Sequence, residues 1–280
     1  MQKYTIIHIQ QNKIFHIEKK GYLCICKQRF QPPPTGVPLR RCSPAAKQEK
    51  KVMKIALIGY GKMGHAIESM AKERGHSIVC TIDTQQELAE KACLLKQADV
   101  AIEFSTPSTA AENIRHCLLN DIAIVCGTTG WYTRYDELTL LCHERGGALF
   151  TSTNFSIGMN IVFALNRKLA RLMRGRNEYK VDITETHHIH KLDAPSGTAI
   201  TIRDQIAQCG DRSKDDIPIQ SVREGEIAGI HTIRYDSPVD TITLTHEAHS
   251  RQGLALGALL AAEFLPGHKG VYTMDDLLEK

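Results

Sequence analysis

Between Glu185 and Thr198 the chain reads Glu-Thr-His-His-Ile-His-Lys-Leu-Asp-Ala-Pro-Ser-Gly-Thr, a stretch dense in groups that move protons and hold anions. His187, His188, His190 and Lys191 fall within five residues. Imidazole titrates near neutrality, and an ammonium brings positive charge and donates a proton when its pKa is lowered. Ser196-Gly197-Thr198 opens a predicted helix just after Pro195, and the amides of a helix mouth attract a carboxylate. Together these groups describe a pocket for a small anionic substrate. His188 and His190 could instead ligate a metal from one face of an extended strand. No nearby Cys or well-spaced acid completes a tetrahedral set, and His246-Glu247-Ala248-His249 is one residue short of the helical zinc motif. The expectation is no metal.

A second constellation lies upstream. Gly59-Tyr60-Gly61-Lys62-Met63-Gly64 follows an apolar strand, opens a helix, and has an acid, Asp83, 19 residues past its last glycine. In that context the glycines serve a tight turn, close approach of a pyrophosphate and helix–strand packing. Asp83 would accept hydrogen bonds from an adenosine ribose and repel a 2′-phosphate, with Thr84 and Gln85 supplying no cation. The reading favours NAD(H), with NADP(H) left open. Gly127-Thr128-Thr129-Gly130 ends another strand, where such sheets bind ligands; it reads as either a nicotinamide contact or a plain turn.

The elements that must position these groups alternate. Strands are predicted at Lys54–Ile58, Ser77–Ile82, Val100–Phe104, Ile122–Cys126 and Ala148–Ser152. Helices are predicted over Met63–Arg74, Gln85–Lys96, Pro107–Leu119 and 136–145. Five alternations call for a Rossmann-type doubly wound parallel sheet. After Asn154 the rhythm changes to a long helix to Arg174, a strand Tyr179–Thr186, a helix Ser196–Gln208, and period-2 strands near His231–Tyr235 and Thr241–His246. That suggests a smaller α+β domain with an open mixed sheet. A last helix, Leu254–Phe264, should pack back on the first. The domains are read as 53–156 for the dinucleotide, completed by 252–280, and 157–251 for substrate and oligomerisation.

Bulk properties narrow the class. No run approaches the ~18 apolar residues of a membrane span, so no membrane partner is expected. Residues 1–52 carry 11 Lys/Arg against two acids, a charge of +9 that leaves −5 on the remainder. The basic balance therefore does not argue for nucleic acid binding by the body. This segment, with Pro32-Pro33-Pro34 and no sustained period, is expected to be a disordered leader or upstream sequence before a start at Met53, with a basic regulatory arm as the rival. Cys80, Cys93, Cys117, Cys126 and Cys142 sit in apolar or helical stretches as small buried hydrophobes. The odd count of nine, without C-x-x-C or a secretory signal, fits a reducing cytoplasm.

From Met53 onward the sequence resembles the dihydrodipicolinate reductases. Glu185–Thr198 is similar to their E-x-H-H-x-x-K-x-D-A-P-S-G-T signature at every fixed position, Gly127–Gly130 to G-T-T-G, and Asn154–Gly158 to N-F-S-x-G. The resemblance implies that His187 is the proton donor or acceptor and Lys191 its companion. It implies that His188, Lys191, Gly197 and Thr198 hold the two carboxylates of a small dicarboxylate. Thr129, Asn154 and Phe155, with the flanking Thr128, Ser152 and Thr153, would line the nicotinamide site, and the assembly would be a homotetramer. Two departures touch the adenosine end: the glycine loop is one residue shorter than the family's G-x-x-G-x-M-G, and the stretch Asp83–Asp99 is short. The rivals are another NAD(P)-dependent amino- or imino-acid dehydrogenase on this fold and, from a different class, a dinucleotide-sensing regulator.

Overall fold

The computed structural model of the chain describes residues 6–10, 13–17 and 52–279. It divides into two units, the first within residues 1–50. There β1 (Ile6–Gln10) and β2 (Lys13–Ile17) form an antiparallel ladder that aligns Ile6 with Ile17. The sequence reading did not anticipate this ladder; the rest of the expected leader lies outside the described residues.

In the second unit, β3 (Lys54–Ile58), β4 (Ser77–Ile82), β5 (Val100–Glu103), β6 (Ala123–Cys126) and β7 (Ala148–Thr151) alternate with helices. These are α1 (Lys62–Glu73), the short α2 (Gln85–Glu90) and α3 (Ala92–Leu95), α4 (Pro107–Leu119) and α5 (Tyr135–Arg145). The chain then runs through α6 (Ile157–Leu172), β8 (Lys180–His187), α7 (Gly197–Cys209), β9 (Ile219–Arg223), β10 (Gly229–Asp236) and β11 (Thr241–Ala248). It returns through α8 (Gln252–Phe264), β12 (Gly270–Tyr272) and α9 (Met274–Leu278).

The first sheet is parallel throughout, in the order β12-β7-β6-β5-β3-β4. Its central strands are apolar on both faces, as a sheet covered on both sides requires. Ile55, Leu57, Val100, Ile102 and Phe150 face a core completed by Ala255, Ala258, Leu259 and Ala262 of α8. Ala56, Ile58, Ala101, Ile124 and Leu149 face the opposite one, against Ala110, Ile114 and Leu118 of α4. The second sheet is mixed, ordered β11-β10-β8-β9, with β8–β9 its parallel pair. One face packs under α6 and α7 through Met159, Phe163, Ile183, Ile202, Ile206, Ile233 and Tyr235. The fold is thus α/β, a Rossmann-type sheet plus a smaller mixed sheet.

Three local expectations need correction. The helix expected over Gln85–Lys96 breaks at Lys91 (φ −95°, ψ 10°), whose Nζ donates to Thr81 O and pins the chain to the end of β4. Cys93, on the short α3 that follows, is exposed rather than buried. Strands β9 and β12 and helix α9 were not anticipated, being only three to five residues each.

The return of α8 is fixed by a partly buried polar cluster as well as by its alanines. Arg74 donates to both oxygens of Glu263 (2.8 and 2.7 Å), and His76 Nε2 lies 2.8 Å from the same carboxylate. His76 Nδ1 accepts the Met53 amide, so Nε2 carries the proton that Glu263 receives. Burial pushes the Glu263 carboxyl up, but hydrogen bonds from Arg74 and His76 outweigh it and hold it below the ordinary range. Glu263→Gln should therefore cost roughly 1–3 kcal/mol at neutral pH, read from urea midpoints. A depressed folded-state pKa means the contribution is complete above the unfolded carboxyl value of about 4.3 and disappears as pH falls through the lower folded value. The gap between wild type and variant should close in acid; a gap independent of pH would refute the account.

Candidate active site

Strand geometry assembles the histidine cluster. Side chains alternate along β8, so Val181, Ile183, Glu185 and His187 point inward. Antiparallel pairing sets His231 of β10 opposite Glu185, and His246 of β11 opposite His231. Glu185 is completely buried. Its Oε1 accepts the Ser196 amide (3.0 Å) and Arg223 Nη2 (3.1 Å). Its Oε2 lies 3.4 Å from His187 Nδ1 and 3.9 Å from His231 Nε2. Burial pushes the Glu185 carboxyl up, yet bonds from Ser196, Ser221 and Arg223 leave it below the usual range. Burial pushes the His187 imidazole down, with Glu185 pulling the other way, and takes His231 down to about 4. Both histidines are therefore neutral near pH 7.

Downstream of β8, Ser196 caps α7 by accepting the Ala199 amide (3.2 Å). Lys191 Nζ donates to both oxygens of Asp193 (2.8 and 3.0 Å). Arg223, at the end of β9, donates to the backbone oxygens of Asp193 (2.6 Å) and Lys191 (3.3 Å) while holding Glu185. One guanidinium thus ties the lysine loop to the buried carboxylate. His190 is exposed beside Glu226 (3.1 Å), apart from the inward cluster.

The glycine loop fits a dinucleotide. Gly59 has φ +87°, and a Cβ there would lie 2.0 Å from Phe104 O; one at Gly64 would lie 2.6 Å from Gly59 O. A Cβ at Gly61 would meet nothing within 4 Å, so a phosphate can approach this backbone where α1 begins with its amides free. Lys62 opens that helix with its side chain exposed. Asp83 Oδ1 accepts the Tyr60 amide (3.0 Å), leaving Oδ2 for a ribose hydroxyl. A Cβ at Gly127 would lie 2.1 Å from the Phe104 ring, so that ring packs against the bare glycine. The Thr128 hydroxyl is occupied, accepting the Ser105 amide (2.8 Å), whereas Thr129 is exposed.

A cavity of about 320 Å³ joins the two constellations. Met63 and Asn154 line it from the first sheet's side, and His187, His188, Lys191 and Thr198 from the second. Asn154 Nδ2 donates to Thr198 Oγ1 (3.3 Å), a direct bond across that boundary. Other expected residues stand elsewhere. Ser152 and Thr153 line a second cavity of about 280 Å³ with Arg167 and Asp275. Phe155 is buried with its ring 5.9 Å from those of both Phe104 and Phe150, a support beneath the site. Gly197 is exposed at the first position of α7.

The sequence reading missed His231, His246 and Arg223 and gave Glu185 no role. His231 shares parity with the inward Ile233 and Tyr235, a usable signal; the others carried none, because register across three strands decides their place. It also found no acid to complete a metal set, whereas folding brings ligand atoms of Glu185, His187 and His231 within 4.8 Å of one another.

Comparison with known proteins agrees with this geometry. Family models described as the N-terminus and C-terminus of dihydrodipicolinate reductase match residues 53–155 and 158–278. A 4-hydroxy-tetrahydrodipicolinate reductase of Christiangramia forsetii is 45% identical over 235 residues, covering 81% of this chain and 98% of that protein. One from Lawsonia intracellularis is 32% identical over 260 residues, covering 81% and 99%. A solved dipicolinate-bound dihydrodipicolinate reductase from a Paenisporosarcina species has a TM-score of 0.62 at 24% identity, covering 80% of this chain and 98% of that one, which speaks for the fold. The chain belongs to the dihydrodipicolinate reductase family.

Proposed function

We propose that this chain reduces 4-hydroxy-tetrahydrodipicolinate, or its dehydrated form dihydrodipicolinate, to tetrahydrodipicolinate in lysine (diaminopimelate) biosynthesis. The observation that carries the reading is the single cavity in which Met63 and Asn154 meet His187, His188, Lys191 and Thr198. The bound NAD(P)H would supply a hydride. His188, Lys191, Gly197 and Thr198 would hold the substrate's carboxylates, with Lys191 exchanging Asp193 for a substrate oxygen. His187 would deliver the proton, its ring oriented by Glu185, and Lys191 would assist. A dicarboxylate beside His187 favours the charged imidazole that burial alone disfavours. The Asn154–Thr198 bond would keep the hydride and proton sides in register.

The test is oxidation of NADH and NADPH by the full chain, with and without enzymatically generated substrate. Substrate-dependent turnover is expected. Dinucleotide binding without turnover would move the assignment to another amino- or imino-acid dehydrogenase.

Asp83 favours NADH, since its carboxylate suits a free 2′-hydroxyl and repels a phosphate there. The ratio of kcat/KM for NADH over NADPH is expected to exceed one and to fall ~10-fold or more in Asp83→Ala, about the 1.4 kcal/mol of a single charged contact. A ratio unchanged by the substitution would exclude Asp83 from selection.

The six described cysteines are all free thiols, which supports a cytoplasmic setting. Among the described residues no helix is long and apolar enough to cross a membrane. The family reading makes the enzyme a homotetramer built through the second sheet, with a tetramer's mass expected in sedimentation.

A further inference from the structure

We propose that Glu185, His187 and His231 form a binding site for a divalent transition cation of the zinc class, and that its occupation shuts the active site. The three donors come from two paired strands: His187 is two residues beyond Glu185 on the same face of β8, and His231 is Glu185's cross-strand partner on β10. All three side chains are buried, and their ligand atoms lie within 4.8 Å of one another. Glu185 Oε2 is 3.4 Å from His187 Nδ1 and 3.9 Å from His231 Nε2. A tetrahedral zinc with bonds of ~2.1 Å requires neighbouring ligand atoms ~3.4 Å apart, so the cluster needs only small side-chain rotations.

The chemistry of the donors agrees. Glu185 Oε2 and His187 Nδ1 are buried polar atoms without a hydrogen-bond partner, an arrangement that ordinarily has a reason. Arg223 and the Ser196 amide engage the other carboxylate oxygen, keeping Glu185 ionised while leaving Oε2 turned towards the imidazoles. Lys191, which lines the same cavity, is held by Asp193. The cavity beside His187 and His231 leaves room for water as a fourth ligand. His246 extends the row on β11 and lines the same cavity.

Metal binding stands on this geometry alone; the loss of activity rests on the reductase reading, since a cation on His187 Nδ1 and Glu185 Oε2 would fix the imidazole proposed to deliver the proton. The two are separated by titrating the full chain with Co²⁺ and following its visible absorption. One equivalent should give the intense bands of a tetrahedral nitrogen–oxygen site, displaced by Zn²⁺. His231→Gln should weaken binding by ~100-fold or more, since even an outer-sphere change costs 10–100-fold. Zn²⁺ should inhibit reversibly, chelator restoring the rate, with free metal set by a buffer because the dicarboxylate substrate itself chelates. Absence of tetrahedral bands in the wild type, or a thiolate-to-cobalt band in the near ultraviolet marking a cysteine site, would overturn the proposal without needing any variant to fold. Binding without inhibition would overturn its second half and count against His187 as the proton donor.

Discussion

Replacing His187 by Gln is expected to lower kcat by ~100-fold or more, the usual worth of a positioned proton donor, while the Kd for NADH changes less than about twofold. Gln fills similar space and can still meet Glu185 Oε2, so the strand end should survive; unchanged urea midpoints check this. Lys191→Ala should lower kcat comparably and also raise KM, because this ammonium lines the cavity and is proposed there as both carboxylate partner and companion donor. His188→Ala, removing a group proposed only as a carboxylate partner, should act mainly on KM. If His187 and Lys191 act on one transition state, the double variant should fall well short of the product of the singles. A His187→Gln enzyme within about threefold of wild type would remove the imidazole from the chemistry and leave Lys191 as the donor.

How much of this was legible in the sequence depends on the range of the contact. Local patterns sufficed for five of the six strands of the first sheet, with apolar runs ended by Gly59, Asp83 and Gly127, but not for the three-residue β12. The motif from Glu185 to Thr198 is contiguous, and its chemistry could be read without a fold. Glu185 stood in that motif with no legible role. Its partners are the Ser196 amide, 11 residues on, Arg223 on a five-residue strand, and His231 across β10. The last two require strand pairing, and the first a loop that doubles back on β8, none of which composition encodes. Asn154 and Thr198 were separate motifs in the sequence, and only the fold shows them bonded. Ser152 and Thr153 carry the opposite lesson. They adjoin Asn154 in sequence, yet they line a different cavity because the Ser152 hydroxyl donates to Asn154 O and turns the chain.

Gly257→Ala tests a contact of this long-range kind, with an effect opposite to the local rule. Within an exposed helix Ala is favoured over Gly by ~1 kcal/mol, so propensity alone predicts stabilisation. In α8, however, a Cβ at 257 would lie 1.7 Å from Phe155 O and 2.7 Å from its carbonyl carbon, both backbone atoms that cannot rotate aside. The helix or the 154–155 segment must move, and overpacking of this kind costs on the order of 3 kcal/mol, about 6–12 °C in Tm for a unit of this size. Displacing Phe155 also displaces Asn154, so the variant should show raised KM for cofactor and substrate together. Gly253→Ala on the same helix is the control. Its Cβ would meet only Ser156 Oγ, at 3.9 Å, and its Tm should stay within ~2 °C of wild type. Equal effects at the two positions would show that helix propensity governs α8. A loss confined to Gly257 would show that close approach of this helix to the Phe155 backbone holds the second motif against the first.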